Sequence, residues 1–123
     1  MNRLLFDIIL GNKCNFRCKY CYTTNNGHNY ENTKMSDDII LNMCKHIKQI
    51  IAYHPNYLYS ACILGDEPLL YVDVIDKIVN YVGNRMRFHI VTNGSLIEKH
   101  QDWLINLRMK VDLKMIVSYD YAN

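Results

Sequence analysis

The chain has 123 residues, of which 50% are hydrophobic and 21% are charged, so its apolar side chains suffice for one folded domain. Its formal net charge of +2 is too small to indicate nucleic-acid binding, and no apolar run is as long as a membrane span. The five cysteines and the lack of a recognisable export signal lead us to expect a cytoplasmic protein with free thiols.

The first half of the sequence predicts a strand, a long connection and a helix. Residues 4–10 are apolar and are followed by Gly11, which is typical of a short buried strand. Residues 11–35 form a polar connection, and a connection this long inside a compact domain is usually functional. Ser36 is the expected N-cap of a helix whose apolar residues recur at helical spacing as far as Ile51.

The second half continues the alternation of strands and helices. The predicted elements are a strand over 57–64, a helix over 71–82, a strand over 87–91, a helix from Ser95 to about Leu107 and a strand over 111–117. The start of the last helix is predicted from the capping-box spacing of Ser95 and Glu98. Strands that alternate with helices in this way predict an α/β fold with parallel strands and right-handed crossovers.

Three cysteines of the long connection form the most informative motif. Cys14, Cys18 and Cys21 follow the first strand with the spacing C-x3-C-x2-C. Three thiolates on one loop can bind three irons of a [4Fe–4S] cluster and leave the fourth iron open, whereas a cluster with four protein ligands usually only carries electrons. An open iron can bind a small molecule and act on it chemically.

Other interpretations of the three cysteines stay open at this point. A zinc site would need a fourth ligand, for which His28 is the nearest candidate. The cysteines could also be unrelated core thiols, although the surrounding residues are polar. A disulfide framework fits poorly with an odd number of cysteines.

The cysteine motif resembles that of the radical S-adenosylmethionine (radical SAM) superfamily, in which an aromatic residue such as Tyr20 precedes the third cysteine. Three further motifs extend the resemblance over almost the whole chain: Gly65-Asp66-Glu67-Pro68, Thr92-Asn93-Gly94 and Ser118-Tyr119-Asp120. Each follows or ends a predicted strand, so all would lie at the carboxyl edge of the sheet, where barrel-like sheets carry their chemistry. Asp66 departs from the family pattern, which more often has a second glycine there.

The resemblance implies a partial (β/α) barrel, about four βα units long, in which residues 1–123 form a core domain truncated at its C-terminus. Cys14, Cys18 and Cys21 would bind the [4Fe–4S] cluster, and S-adenosylmethionine would bind at the open iron. Reductive cleavage would then yield a 5′-deoxyadenosyl radical that abstracts hydrogen from a substrate. The other residues implied to contact the cofactor are Tyr20, Gly65, Asp66, Glu67, Pro68, Asn93 and Ser118.

The resemblance also implies roles and partners. Glu67 would pair with the ammonium of the cofactor or brace the loop. A reductant such as flavodoxin or ferredoxin would supply the electron. Around the cysteines the sequence looks like the peptide- and protein-modifying maturases, including anaerobic sulfatase-maturing enzymes, so the substrate would be a peptide or protein. A non-catalytic iron–sulfur electron-transfer module and a zinc-stabilised binding protein remain the alternatives.

Three residues outside these motifs are expected to pack in the core. Cys44 lies on the apolar stripe of the first helix, and Cys62 lies within the second strand. Trp103 belongs to the third helix. We predict that neither cysteine is a cluster ligand.

Overall fold

The computed structural model describes residues 2–11, 35–65 and 67–118. Strands and helices alternate as the sequence predicts. In chain order they are β1 (Arg3–Ile9), α1 (Asp37–Tyr53), β2 (Leu58–Leu64), α2 (Val72–Val82), β3 (Met86–Thr92), α3 (Gln101–Lys110) and β4 (Asp112–Val117). Single 3-10 turns, Pro68–Leu70 and Gly83–Arg85, precede and follow α2.

The first two helices begin and end at the predicted signals. The Ser36 hydroxyl accepts a hydrogen bond from the backbone N–H of Ile39, which caps α1, and two aspartates in its first turn favour the positive end of the helix dipole. Helix α2 ends at Gly83, whose φ of 76° is one that glycine adopts without strain.

The strands form one parallel sheet in the order β1-β2-β3-β4. The fold is therefore α/β with four parallel strands, as expected for part of a (β/α) barrel. One face of the sheet packs against the helices and forms the core. Its strand residues are Leu4, Phe6, Ile8, Tyr59, Ala61, Ile63, Met86, Phe88, Ile90, Leu113 and Met115.

The opposite face of the sheet is open. Leu5 and Ile9 of β1 are 60% and 61% exposed, and Ile116 of β4 is 40% exposed. We call this surface the open face. In a closed barrel the same face would line the interior, because the helices cover the outside.

The predicted start of the third helix is wrong. Residues 95–100 form turns, and α3 begins only at Gln101, without a side-chain cap. The side chain of Asn93 accepts hydrogen bonds from the backbone N–H and the hydroxyl of Ser95 at 3.0 and 2.7 Å. In this Asx turn both the N–H and the hydroxyl of Ser95 are bonded to Asn93, so Ser95 does not cap a helix.

The two cysteines outside the cysteine motif lie in different surroundings. Cys44 is fully buried in the core, as predicted. Cys62 is only half-buried and lies on the open face, so its predicted place in the core is wrong. Successive side chains of a strand alternate between faces, and Ala61 and Ile63 take the core side.

Trp103 packs against the edge of the core, and its indole N–H donates to the carboxylate of Asp76 at 2.9 Å. Within the described ranges, no helix has the length and apolar character needed to cross a membrane.

Candidate functional site

The carboxyl ends of the four strands meet at one edge of the sheet, which we call the rim. Backbone hydrogen bonds continue the sheet past the strand ends, from Leu10 N–H to Leu64 C=O at 3.0 Å and from Ser118 N–H to Thr92 C=O at 2.9 Å. The backbone N–H of Met35 donates to Leu10 C=O at 2.9 Å. Gly11 and Met35, the described residues on either side of the cysteine motif, are thus both placed at the rim.

Two glycines approach each other closely at the rim. Gly65 has a φ of 133°, which strongly favours glycine, and a Cβ built on it would lie 3.1 Å from the carbonyl oxygen of Gly11. That separation is tighter than most contacts of a real Cβ. Glycine at position 65 therefore allows the backbone after β2 to pass directly beside the backbone after β1.

Glu67 is fully buried at the rim and accepts hydrogen bonds from two parts of the chain. The Thr92 hydroxyl lies 2.9 Å from Oε1 and 2.7 Å from Oε2 of Glu67, and the Asn93 N–H donates to Oε1 of Glu67 at 2.7 Å. The Leu69 N–H donates at 3.0 Å and begins the 3-10 turn. A buried carboxylate is stable only when such bonds replace its hydration.

These contacts favour one of the two roles that the sequence suggested for Glu67. Both carboxylate oxygens are engaged by the protein itself, across the gap between the ends of β2 and β3. The geometry favours bracing of the loop over direct pairing with the ammonium of a cofactor. Pro68 follows at the first position of the turn and is buried.

The end of β3 forms a compact turn beside this carboxylate. The Gly94 N–H donates to the Thr92 hydroxyl at 3.1 Å, so this hydroxyl both donates and accepts. Gly94 has a φ of 87°, and a Cβ there would lie 3.1 Å from Val117 of β4. Asn93 is half-buried at the same turn, and Ser118 is exposed beyond the end of β4.

The structure thus brings Gly65, Glu67, Pro68, Asn93 and Ser118 to one rim. Cys14, Cys18, Cys21, Tyr20 and Asp66 lie outside the described residues. In the part of the chain that is described, no three His, Cys, Asp or Glu side chains are arranged to hold a metal ion.

Sequence reasoning missed two residues of this arrangement. Thr92 lies in the motif Thr92-Asn93-Gly94, from which the sequence indicates only Asn93 as a site residue, although Thr92 is the main partner of Glu67. The available signal was its place at the end of an apolar strand, where a polar residue on the core side needs a buried partner. The sequence indicates Gly11 only as the end of a strand, and its contact with Gly65 depends on the tertiary structure.

The rim and a second feature lie at opposite ends of the sheet. A cavity of about 330 Å³ opens at the amino end of the strands, lined by residues that include Arg3, Tyr57 and Arg87. Arg87 is paired there with Asp112 at 2.7 Å. None of its lining residues belongs to a motif, so we place the candidate site at the rim, where the described motif residues lie.

The thiol of Cys62 has a distinct electrostatic setting on the open face. Burial raises its pKa, and the carboxylate of Asp7, in register with it on β1, raises the pKa further. Burial also raises the pKa of the Cys44 thiol. Both thiols are thereby held in the protonated form, which is a poor metal ligand.

The residues present fit the cofactor set that the motifs imply. Three cysteines are suitable ligands for an iron–sulfur cluster with one open iron. The glycines at the rim leave backbone free of side chains where the ends of β1 and β2 converge. Glu67 is buried next to these glycines and joins the loop after β2 to the end of β3.

Comparison with known proteins gives the same assignment. The model of the radical SAM superfamily matches residues 8–114. The chain is 28% identical, over 95% of its length, to the radical SAM cyclopropyl synthase TigE of Paramaledivibacter caminithermalis, of which it covers 27%. It is 30% identical, over 85% of its length, to the uncharacterized protein MJ0907 of Methanocaldococcus jannaschii, of which it covers 35%.

The chain spans about a third or less of the length of these curated relatives. The superfamily match, in contrast, covers most of the chain, from the end of β1 to the middle of β4. Enzymes of this superfamily use a [4Fe–4S] cluster and S-adenosylmethionine. The order of the motifs along the sequence, the meeting of their described residues at one rim and the family match agree, and the chain belongs to the radical SAM superfamily.

Proposed function

We propose that this chain forms the cofactor-binding part of a radical SAM enzyme. Cys14, Cys18 and Cys21 would hold a [4Fe–4S] cluster, and the rim would hold S-adenosylmethionine against its open iron. When bound, the two groups supply a 5′-deoxyadenosyl radical that abstracts hydrogen from a substrate. The family match supports this proposal, as does the position of Gly11, Met35 and the described motif residues at one rim.

One observation carries the proposal furthest. A fully buried carboxylate, Glu67, joins the loop after β2 to the end of β3, because it accepts hydrogen bonds from the Thr92 hydroxyl and the Asn93 N–H. Such a brace fixes the backbone of both motifs relative to each other before any cofactor binds. Because the backbone of the site is already fixed, less free energy is lost in ordering it when a cofactor binds.

The residues at the rim divide into contacts and supports. Gly65 would let the cofactor approach the backbone, and Pro68 would fix the turn that follows. Asn93 and Ser118 would contact the ribose or the carboxylate of the cofactor. Tyr20 and Asp66 are proposed as further contacts on the strength of the sequence motifs alone.

The finer parts of the function are also proposals. The sequence around Cys14 resembles that of peptide- and protein-modifying maturases, so we propose a peptide or protein as substrate. A small reductant such as flavodoxin or ferredoxin would deliver the electron to the cluster. The radical SAM relative named above is a cyclopropyl synthase. Hydrogen abstraction from an aliphatic carbon of a substrate would suit the apolar residues near the rim.

The experiment that tests the proposal measures products of cofactor cleavage. The anaerobically reconstituted protein is reduced with dithionite and incubated with S-adenosylmethionine, and 5′-deoxyadenosine and methionine are quantified by chromatography. We expect both products in equal amounts from the wild-type protein and none from Cys18→Ala. Equal product from the two proteins would contradict the proposal.

A further inference from the structure

The cavity at the amino end of the sheet, which we call the amino-end cavity, is remote from the rim. It has a volume of about 330 Å³, and its lining residues come from the first residues of the strands and from the turns that precede β2 and β3. A strand of seven residues such as β2 spans about 20 Å, so the cavity and the rim lie about that far apart. A small ligand in the amino-end cavity would therefore not touch a cofactor at the rim.

The amino-end cavity carries an excess of positive charge. Three arginines line it, Arg3, Arg85 and Arg87, together with a single carboxylate, that of Asp112. This carboxylate is already paired with Arg87, whose Nε lies 2.7 Å from it. Among the residues that the structure describes, Arg3 and Arg85 have no carboxylate partner, which leaves two uncompensated positive charges.

The guanidinium of Arg85 is held in place by neutral groups. Its Nη2 donates to the backbone carbonyl of Pro55 at 2.5 Å, and its central carbon lies 6.0 Å from the centroid of the Tyr59 ring. The Tyr59 ring is itself fixed, because its hydroxyl donates to the carbonyl of His54 at 2.6 Å. A carbonyl and an aromatic ring orient a guanidinium without cancelling its charge, and N–H donors of the guanidinium stay available for a ligand.

Arg3 and Arg85 lie on either side of Leu58. The sheet pairs Arg3 with Leu58 and pairs Tyr59 with Met86, so Arg85 comes next to Leu58 on the side of β3. Neighbouring strands are about 4.8 Å apart, which separates the two arginine backbones by about 10 Å. Within the described ranges, no hydrogen bond or ion pair holds the Arg3 side chain. The two long side chains can therefore close on one anion between them.

Apolar surface lies directly beside these two arginines. Leu58 lines the cavity between them and is 49% exposed although it is aliphatic. Tyr57 lines the same cavity, and its ring stacks on those of His54 and Tyr59 at centroid distances of 4.5 and 6.2 Å. The amino-end cavity thus combines a fixed apolar patch with a pair of unpaired cations.

We propose that the amino-end cavity binds a small organic phosphate monoester. The phosphate would lie between the guanidiniums of Arg3 and Arg85, and the organic part would contact Leu58 and Tyr57. The volume of the cavity falls at the lower end of the range for small-molecule sites. This site is distinct from the cofactor site at the rim and does not depend on the proposed function.

The charge and shape of the two arginines favour phosphate over carboxylate. A phosphate monoester carries close to two negative charges at pH 7, which match the two uncompensated arginines, whereas a carboxylate carries one. The planar guanidinium can also form two parallel hydrogen bonds with phosphate oxygens. The adjoining apolar patch favours an organic phosphate over inorganic phosphate, because contact with Leu58 and Tyr57 removes apolar surface from water.

Isothermal titration calorimetry of the anaerobically reconstituted full chain tests the site, with phenyl phosphate as the probe. Inorganic phosphate lacks the organic part, phenol lacks the anion, and phenylacetate carries one negative charge instead of two. We expect each of these three to bind about tenfold more weakly or worse, since a charged hydrogen bond and a buried ring each contribute that much. No binding of phenyl phosphate, or an affinity equal to that of any of the three, would overturn the proposal.

A variant of an unbonded arginine assigns the phosphate to the cavity. Arg3→Gln should weaken phenyl phosphate binding about tenfold and should keep the wild-type free energy of unfolding, because the Arg3 side chain holds no other described residue. Lys99→Gln removes one positive charge from an exposed position after β3, at the opposite end of the sheet, and should bind like wild type. Wild-type affinity in Arg3→Gln, or an equal loss in Lys99→Gln, would overturn the proposal.

Competition with the cofactor checks the location independently. Saturating S-adenosylmethionine should leave the affinity for phenyl phosphate unchanged, because the amino-end cavity lies about 20 Å from the rim. Displacement of phenyl phosphate by S-adenosylmethionine would place the ligand at the rim and overturn the proposal. Phosphate binding is measured without cofactor cleavage, so failure of this site and failure of the radical chemistry are distinguishable.

Discussion

The hydroxyl oxygen of Thr92 lies 2.7 Å from a carboxylate oxygen of Glu67, joining the end of β3 to the loop that follows β2. Both side chains are buried, and they come from positions 25 residues apart. The bond is therefore a tertiary contact between two motifs of the rim. It makes Glu67 a positioning residue, which acts through the backbone that it holds.

Replacement of Glu67 by glutamine should destabilise the protein. The amide keeps one oxygen and puts an NH₂ donor in place of the other, which now accepts from either the Leu69 N–H or the Asn93 N–H. Because buried donors left without acceptors cost about 1–3 kcal/mol, we expect a loss of that size in the free energy of unfolding, measured by urea denaturation. Glu98→Gln, at an exposed position, is the matched control and should change little. A Glu67→Gln protein as stable as wild type would show that the brace is unimportant.

Thr92 should tolerate serine better than valine. Serine keeps the hydroxyl that donates to Glu67 and accepts from Gly94, whereas valine keeps the shape and removes both bonds. We expect Thr92→Val to lose about 1–3 kcal/mol of unfolding free energy and Thr92→Ser to lose less. If the serine variant were the less stable of the two, packing of the methyl group would outweigh the hydrogen bonds.

Alanine at Gly65 should be more damaging than alanine at Gly83. Both positions have positive φ, but only at Gly65 does the added Cβ meet backbone, 3.1 Å from Gly11. At Gly83 nothing lies within 4 Å of it. Strained backbone conformations cost about 1–3 kcal/mol, and the contact adds to this at Gly65. Urea denaturation of the two variants measures the difference, and equal losses would contradict the close approach at the rim.

The cluster should depend on the motif cysteines and not on the core cysteine. Cys14→Ala, Cys18→Ala and Cys21→Ala should each lose bound iron and the brown colour after anaerobic reconstitution. Cys44→Ala should retain both, because Cys44 is buried in the core and burial raises the pKa of its thiol. Iron analysis and the visible absorption spectrum measure the outcome. Full iron content in the Cys18→Ala protein would refute the ligand assignment.

The thiol of Cys62 should react slowly with alkylating reagents at pH 8. Burial and the Asp7 carboxylate both raise its pKa, so a smaller fraction is thiolate at that pH than for an ordinary cysteine. Replacing Asp7 by asparagine removes one of these causes, lowers the pKa and should increase the rate. Iodoacetamide labelling of Cys62 followed by mass spectrometry measures this. A slower reaction in Asp7→Asn would contradict the predicted proximity of the two groups.

The sequence predicts the fold well where local signals and tertiary structure agree. Hydrophobic periodicity places all four strands within one or two residues, and the Ser36 cap begins α1 as expected. The prediction fails at Ser95 because a neighbouring side chain, Asn93, competes for the same groups. Capping-box spacing contains no information about that competitor.

The sequence predicts which motifs form the site, but it does not predict which of their residues contact each other. Residue identity indicated Gly65, Glu67 and Asn93, and the strand order placed them at one edge. The bond between Glu67 and Thr92 depends on the register of β2 and β3, which no local pattern specifies. The same register determines which side chains are neighbours on the open face and the position of Cys62.

The most direct test of the central claim is an electron paramagnetic resonance spectrum of the anaerobically reconstituted, dithionite-reduced protein, recorded with and without S-adenosylmethionine. We predict a [4Fe–4S]⁺ signal whose g values change when the cofactor is added, because the cofactor binds at the open iron. A cluster signal that is identical in both spectra, or the absence of a cluster, would contradict the account.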